Sequence, residues 1–388
     1  RIRMGMELDL MNLWFGKTAD YFRQFISDQT IGMARINRFD FTTLPINLLY
    51  LLYYEYRRNE KESLNFSFFE YGKNSNGNPD DDRWEMYLEL QEMYAILQRW
   101  YNDKELYHYL GFLFFNFKAQ TPFRDIYTQW KTLNSRDKFL KDIQHTIATR
   151  MLDRYLEETE KAAPDYQKCL KTMTEAISDF RENWYNNDKE LYQILILLDI
   201  FRILDSKSIK KLPTDYFTRK SGQKDGEDIE HILSQTPRKD NGEIATIKTD
   251  WEKFAQSEDF KDIRSQMQEI LNHSDAELTE QELTQLQNLL NSAGLNSIGN
   301  MVLLDLRINR SYGNADYAHK RTIIFQEYMN QKYVRPHTLA VFMKGDIDAR
   351  EATGIPLNRW TLEDIKRNTD KIAKEIGKNF NAWLTQNN

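Results

Sequence analysis

The sequence has a single cysteine, Cys169, among 388 residues, which excludes an internal disulfide and a cysteine-based structural zinc site. Its 15 glycines and 8 prolines are too few for the dense turns of an all-β fold. The most apolar stretches, residues 48–54 and 191–198, are far shorter than the roughly 18–20 residues that cross a bilayer. A formal net charge of −6 does not indicate nucleic-acid binding, so any such surface must be local.

The patterns that are present predict helices packed on helices. Apolar residues make up 40% of the chain, which is sufficient for packed cores. Residues 106–117 and 191–204 are apolar on nearly all sides, as is typical of the central helices of a bundle. The sequence pattern changes near Pro213, where the long helical stretches give way to a polar segment and then to a mixed pattern. We therefore predict a mainly α protein, with a helical bundle or linker domain over residues 1–212 and an α+β domain over residues 213–388.

The second domain contains a small β element among helices. Residues 301–304, Met-Val-Leu-Leu after Gly299, predict a short buried strand, and residues 317–328 predict a helix. A capping box of Thr361 and Asp364 predicts the start of the last helix. Its apolar positions form one stripe: Leu362, Ile365, Ile372, Ile376 and Trp383.

The pair Glu230-His231 in a β-like stretch is a candidate chemical site. Neighbouring strand residues point to opposite faces, so both side chains serve one centre only if the strand bends or ends there. In nucleases of the His-Asn-His, ββα-metal kind, the carboxylate holds a divalent cation and the histidine faces the attacking water. Taken alone, the pair is a weak signal, and a structural, partly buried histidine is its default interpretation.

The region after residue 298 supplies the remaining parts of such a site. Phosphodiester cleavage needs oxygen ligands for Mg²⁺, a base for water and cations near the phosphorane. Glu230 and Asn309 are the candidate metal ligands, and His231 is the candidate base. The candidate DNA-binding cations that follow in the chain are Arg307, Arg310, Lys320 and Arg321.

Together these motifs resemble the C-terminal nuclease domain of GmrSD-type modification-dependent restriction proteins. The resemblance rests on Glu-His-Ile-x-x-Gln at 230–235, Ile-Gly-Asn-x-x-Leu-Leu-Asp at 298–305, Asn309, and Lys320-Arg321, and it covers roughly residues 220–388. It implies that His231 is the general base, with Asn300 bracing the loop and the histidine. It also implies that Glu230 and Asn309 hold Mg²⁺ or Mn²⁺. A long helical insert, about residues 235–295, separates the two halves of the motif.

The resemblance further implies DNA, from phage or modified, as the partner, and a bacterial, cytoplasmic antiviral restriction system as the setting. The family pairs this half with a nucleotide-hydrolysing domain whose Asp-Gly-Gln-Gln-Arg signature is absent here, so we expect that domain or subunit to be missing from this chain. No membrane partner is expected, and a homo-oligomer is left open.

Local charge agrees with this reading. Residues 306–340 carry six lysines and arginines against two acids, whereas residues 258–292 carry two against eight. The acidic part of the insert could gate the site or face away from DNA.

Two functions are therefore carried forward. The first is a divalent-metal-dependent DNA endonuclease or nickase of the His-Asn-His type, in which His231 activates water. The alternative is a catalytically silent helical module that binds DNA or protein with a degenerate nuclease fold. The overall negative charge and the long insert motivate the second reading. A zinc hydrolase lacks the required ligand spacing.

Overall fold

The computed structural model describes residues 2–37, 39–58, 64, 79–207, 211–219, 226–234, 236–237, 243–308, 317–344 and 358–385. Within them the protein is mainly helical with a small two-stranded antiparallel sheet in its C-terminal part, which confirms the predicted fold class. No helix in these ranges is both long enough and apolar enough to cross a membrane.

The chain divides into two compact units. The N-terminal unit comprises Arg1–Arg150 and Ser208–Phe217, and the C-terminal unit comprises Met151–Lys207 and Thr218–Gln386. These units differ from the predicted domains 1–212 and 213–388 mainly in the grouping of residues 151–207. The division into domains 1–212 and 213–388 is still a prediction.

The N-terminal unit is a set of helices joined by short connections. Its helices are α1 (Ile2–Phe22), α2 (Asp28–Ile36), α3 (Asn47–Arg57), α4 (Pro79–Asn102), α5 (Lys104–Asn116), α6 (Phe123–Leu133) and α7 (Arg136–Leu152), the last of which continues into the C-terminal unit. Asp103 caps α5 by accepting the backbone N–H groups of Glu105 and Leu106. Inside this unit His108 is buried, and burial lowers its pKa to about 4, so the ring is neutral.

The C-terminal unit holds the sheet and the remaining helices. These elements are α8 (Tyr166–Ser178), α9 (Asp188–Asp205), β1 (Glu227–His231), α10 (Lys248–Ala255), α11 (Arg264–Asn272), α12 (Glu280–Ser292), β2 (Met301–Asp305), α13 (Tyr317–Met329), α14 (Pro336–Met343) and α15 (Leu362–Thr385). β1 and β2 are antiparallel, with Glu227 opposite Asp305 and His231 opposite Met301. The predicted strand at 301–304 and the predicted helix at 317–328 are both confirmed.

Helices α10–α12 lie between the two strands in sequence, yet they share the core of the strands. Trp251 of α10, Met267 of α11 and Leu286 of α12 belong to the same buried cluster as Val302 and Leu304 of β2. The segment predicted as a helical insert is thus packed into the body of this unit, because its apolar faces have no separate core of their own to fill.

Helix α15 begins as the sequence predicts. The Thr361 hydroxyl and backbone N–H donate to the Asp364 carboxylate, and the Asp364 N–H donates back to the hydroxyl. The predicted apolar stripe is buried along its whole length. This helix packs closely against the short turn Ile298–Asn300, where Gly299 permits the approach of the two backbones.

We expect Gly299→Ala to destabilise the C-terminal unit by about 1–3 kcal/mol, because overpacking forces the backbone to shift. A Cβ at this position would lie 2.3 Å from the carbonyl oxygen of Ile365, which no real contact tolerates. Urea unfolding measures the loss, and hydrogen exchange in β2 and α15 locates it.

Gly32→Ala in α2 is the matched control, since a Cβ there meets nothing within 4 Å. It should be neutral or stabilising by about 0.5–1 kcal/mol, as alanine loses less entropy in a helix. Equal effects of the two substitutions would show that the approach at Gly299 is not tight.

Candidate active site

The end of β1 carries the predicted carboxylate and imidazole on neighbouring residues. β1 ends at His231, and the backbone N–H of Ile232 then donates to the carbonyl of Asn300, 2.9 Å away. Neighbouring residues of a strand point to opposite faces, and Glu230 and His231 are the last two residues of β1, so one centre can use both only around the end of the strand. The two side chains consequently have different surroundings.

Asn300 holds the chain immediately after His231. Its side chain is fully buried, its Oδ1 accepts the N–H of Leu233 at 2.8 Å, and its Nδ2 donates to the carbonyls of Leu233 and Leu295. An amide offers both a donor and an acceptor, so a single side chain satisfies the peptide groups on either side of this turn. These contacts fix the backbone that leaves the strand.

The ring of His231 is oriented by a different asparagine. His231 Nε2 lies 2.9 Å from Oδ1 of Asn296, and Asn296 Nδ2 donates to Oδ1 of Asn291 at 2.6 Å. Because the Asn296 amide already donates through Nδ2, its Oδ1 is the acceptor and His231 donates through Nε2–H. In a neutral ring this makes Nδ1 the basic nitrogen.

His231 lies at the edge of the protein and is not sealed in an apolar interior. Its ring is half-buried, and the ring of Tyr185 covers one side with a centroid separation of 4.9 Å and a tilt of 35°. Tyr185 is itself 47% exposed, whereas its neighbour Trp184 is buried and donates its backbone N–H to Asn296. Because His231 is only partly buried, the protein does not fully enclose its imidazole.

Glu230 is paired with a buried cation. Lys320 Nζ donates to Glu230 Oε1 at 2.8 Å and to the carbonyl of His231 at 2.7 Å. The lysine side chain is 1% exposed and the glutamate 17% exposed. Lys320 was predicted to bind DNA, but its ammonium points inward and ties α13 to the end of β1.

The other predicted cations have different surroundings. Arg307 is 67% exposed and leans on Asp305, with 3.3 Å between Nε and Oδ1. Arg321 donates to the carbonyl of Phe342 and stacks over Phe325. Asn309 and Arg310 lie outside the described residues.

A buried ion network holds the first residue of β1. Arg335 donates to both carboxylate oxygens of Glu227 at 2.7 Å and to Asp199 at 2.8 Å, and all three side chains are at most 2% exposed. Burial raises the pKa of Asp199, and the nearby guanidinium opposes that shift. Asp199 also accepts the backbone N–H of His337, so α9, β1 and α14 meet at this network.

Sequence reasoning missed these supporting residues, although signals existed for some. Asp199 interrupts an otherwise apolar helix, and a buried charge requires a partner. Asn296 had no such signal, since its contact with His231 spans 65 residues. Tyr185 belongs to a Trp-Tyr-Asn stretch that also occurs at residues 100–102, and its role depends on tertiary contact.

The donor chemistry suits a hard divalent cation in part. Glu230 supplies a partly exposed carboxylate, and Mg²⁺ commonly takes one or two carboxylates together with water and substrate oxygens. In the described ranges no group of three or more His, Cys, Asp or Glu side chains is arranged to hold a metal. The site is thus a strand-end imidazole with one adjacent carboxylate.

Comparison with known families identifies the class of this chain. Residues 174–375, slightly more than half of the chain, match the family model for the C-terminal domain of GmrSD restriction endonucleases. The chain belongs to this family, as the motifs at 230–235 and 298–305 predict. Membership implies a nuclease of a restriction system that acts on DNA. No curated protein and no solved structure matches the chain.

We expect the neutral ring of His231 to be the Nε2–H tautomer, and Asn296→Ala to produce a mixture of tautomers because it removes the acceptor. Long-range ¹H–¹⁵N spectra of the imidazoles, assigned with His231→Gln, measure this. Asn296→Asp retains an acceptor oxygen and should retain the tautomer.

Asn272→Ala, at an exposed position on α11, is the control for a generic loss of an amide. An unchanged His231 spectrum in Asn296→Ala would mean that this asparagine does not select the tautomer.

Proposed function

We propose that this chain is a divalent-metal-dependent DNA endonuclease or nickase of a phage-restriction system, in which His231 activates the attacking water. The observation that carries the proposal is the half-exposed imidazole at the end of β1, oriented through Nε2 by Asn296. Membership in a family of restriction endonucleases supports the assignment of phosphodiester hydrolysis.

The proposed base works through the nitrogen opposite Asn296. Donation from Nε2–H to the amide oxygen leaves Nδ1 as the basic nitrogen, which accepts the proton of water as the oxygen attacks phosphorus. The imidazolium that forms is stabilised where it stands, because Asn296 Oδ1 continues to accept from Nε2–H. Tyr185 restricts rotation of the ring from its exposed side.

Glu230 and Asn309 are proposed to hold Mg²⁺ or Mn²⁺. When bound, such an ion supplies positive charge next to the phosphate oxygens and the leaving oxygen. Lys320 places the Glu230 carboxylate by bonding Oε1, and it fixes the strand end through the carbonyl of His231. We therefore propose Lys320 as a positioning residue and Arg307, which is mostly exposed, as a contact to the DNA backbone.

One observation favours the alternative of a catalytically silent binding module. The Glu230 carboxylate already has a cation partner in Lys320, as a degenerate metal site would. The nucleotide-hydrolysing partner, the cytoplasmic setting and any preference for modified DNA remain predictions.

We expect His231→Ala to abolish Mg²⁺- or Mn²⁺-dependent nicking of supercoiled plasmid while leaving the circular dichroism spectrum unchanged. Loss of a general base commonly costs about 10²–10⁴ in rate. Conversion of supercoiled to open-circular DNA on agarose gels measures the effect, with chelator as the metal-free reference.

His273→Ala is the matched control, because that ring is exposed at the end of α11 and bonds its own helix. Nicking by His231→Ala at the wild-type rate would refute the assigned base. DNA binding without cleavage by the wild-type protein under either metal would establish the silent module instead.

Arg307 and Lys320 should affect different steps. We expect Arg307→Gln to weaken duplex DNA binding and to lower the slope of log K against log salt by about 0.9, the value for one phosphate contact. Lys320→Met should leave that slope unchanged and reduce cleavage at least tenfold. Fluorescence anisotropy and plasmid nicking measure the two effects.

Arg359→Gln removes another arginine of the same unit, 44% exposed, and controls for net charge. Thermal melting of Lys320→Met separates lost positioning from lost folding. An equal fall in salt slope for Lys320→Met and Arg307→Gln would make the lysine a DNA contact.

A further inference from the structure

Tyr185 keeps a large aromatic ring at the surface beside the candidate base. It lies in the short turn Trp184–Asn186 between α8 and α9 and is 47% exposed. Within the residues that the structure describes, its ring contacts one other ring, that of His231, at 4.9 Å between the centroids. Single exposed aromatic residues are common on protein surfaces, so exposure alone does not define a site. What distinguishes Tyr185 is the group that it touches and the way in which it is held.

The sequence Trp-Tyr-Asn occurs at residues 100–102 and again at 184–186, and its two tyrosines have different environments. The tryptophan is buried in both places. Tyr101 packs among other aromatic rings, which are those of Trp14, Tyr21, Phe22 and Tyr107. Tyr185 has no such aromatic cluster around it in the described part of the chain. The core therefore takes Trp184 of the turn and leaves the Tyr185 ring with surface that another ring can cover.

The turn that carries Tyr185 is fixed to the residue that orients the imidazole. The backbone N–H of Trp184 donates to the carbonyl of Asn296 at 2.9 Å, and the side chain of Asn296 bonds Nε2 of His231. The N–H of Asn187 donates to the carbonyl of Trp184 at 3.0 Å and closes the turn. A tyrosine has only two side-chain torsions, so a ring held in this way loses little entropy when a further ring stacks on it.

We propose that Tyr185 stacks on an unpaired nucleobase of the DNA strand whose phosphate lies at His231. Every base presents a π-face, and aromatic side chains serve as platforms for unpaired bases with little regard to sequence. His231 covers one side of the tyrosine ring, so the base takes the opposite side. The stack then runs from the imidazole through the tyrosine ring to the base.

This arrangement limits the distance between the stacked base and the cut phosphate. Paired rings lie up to about 7 Å apart, so the base is no more than about 12 Å from the imidazole. That distance corresponds to about three nucleotides at ~3.4 Å for each step of a stacked strand. A base in intact duplex DNA is already stacked on its neighbours and has no free face. The inference rests on the proposed function for DNA as the substrate, and it adds that the strand is unpaired at the site.

Binding of single-stranded DNA in the presence of chelator tests the proposal without cleavage. In the whole chain, Tyr185→Ala should weaken the binding of a short single strand at least fivefold, the lower end of the effect of losing one base–aromatic stack. Tyr185→Phe keeps the ring and should bind as the wild-type chain does. Fluorescence anisotropy measures the affinity, and quenching of 2-aminopurine in the strand reports the stacked base. The salt slope should be the same for all three proteins, because stacking releases no counterions.

Tyr328→Ala is the matched control, since that tyrosine is 50% exposed on α13 of the same unit. It should leave the affinity for the single strand unchanged. A strand of the same length without bases separates stacking from support of the turn, and the wild-type chain and Tyr185→Ala should bind it equally. Tyr185→Leu, which fills similar space without a π-face, repeats the test if Tyr185→Ala melts at a lower temperature.

Two results would overturn the inference. One is an equal loss of affinity by Tyr185→Ala on the strands with and without bases, which would show that the tyrosine acts only through the structure of its turn. The other is failure of the wild-type chain to bind the single strand.

The outcome is separable from that of the cleavage mechanism. Nicking by the wild-type chain, together with equal single-strand affinities of the wild type and Tyr185→Ala, overturns the stacking and leaves His231 as the base. Base-dependent binding of the single strand without nicking under either metal supports the stacking and refutes the cleavage alone.

Discussion

The position of the candidate site depends on one buried cation, Arg335. Its guanidinium joins Glu227 at the start of β1 to Asp199 in the middle of α9, and all three side chains are removed from water. Charges in such surroundings are tolerated only when they are paired and hydrogen-bonded. The strand therefore has one acceptable position against α9, and His231, four residues further on, takes its place at the other end of β1.

The last two side chains of β1 contact different residues. One face turns the His231 ring toward Asn296 and Tyr185, and the other turns Glu230 toward Lys320. The lysine also bonds the carbonyl of His231, so the backbone between the two side chains is held by the same ammonium group. Because side chains alternate along a strand, the His231 imidazole and the Glu230 carboxylate, which is paired with Lys320, have different partners.

Local sequence signals predicted the elements well. The Thr361 capping box, the apolar stripe of α15 and the buried strand after Gly299 depend on residues close together in the chain, and each is confirmed. The supporting contacts could not be predicted in this way. Lys320 carries the same charge whether it meets DNA or Glu230, and only tertiary packing determines its 1% exposure. Asn296 likewise has no local pattern that points to His231.

The segment between the strands has a consequence for how the protein can be shortened. Asn291, the residue that holds Asn296, belongs to the last turn of α12, and that helix shares the core of β2 through Leu286. Excising α10–α12 to create a minimal domain would retain the Glu230-His231 pair while removing the ring's scaffold. The inserted segment is therefore part of the structure that orients the His231 ring, through the contacts of Asn291 and Asn296.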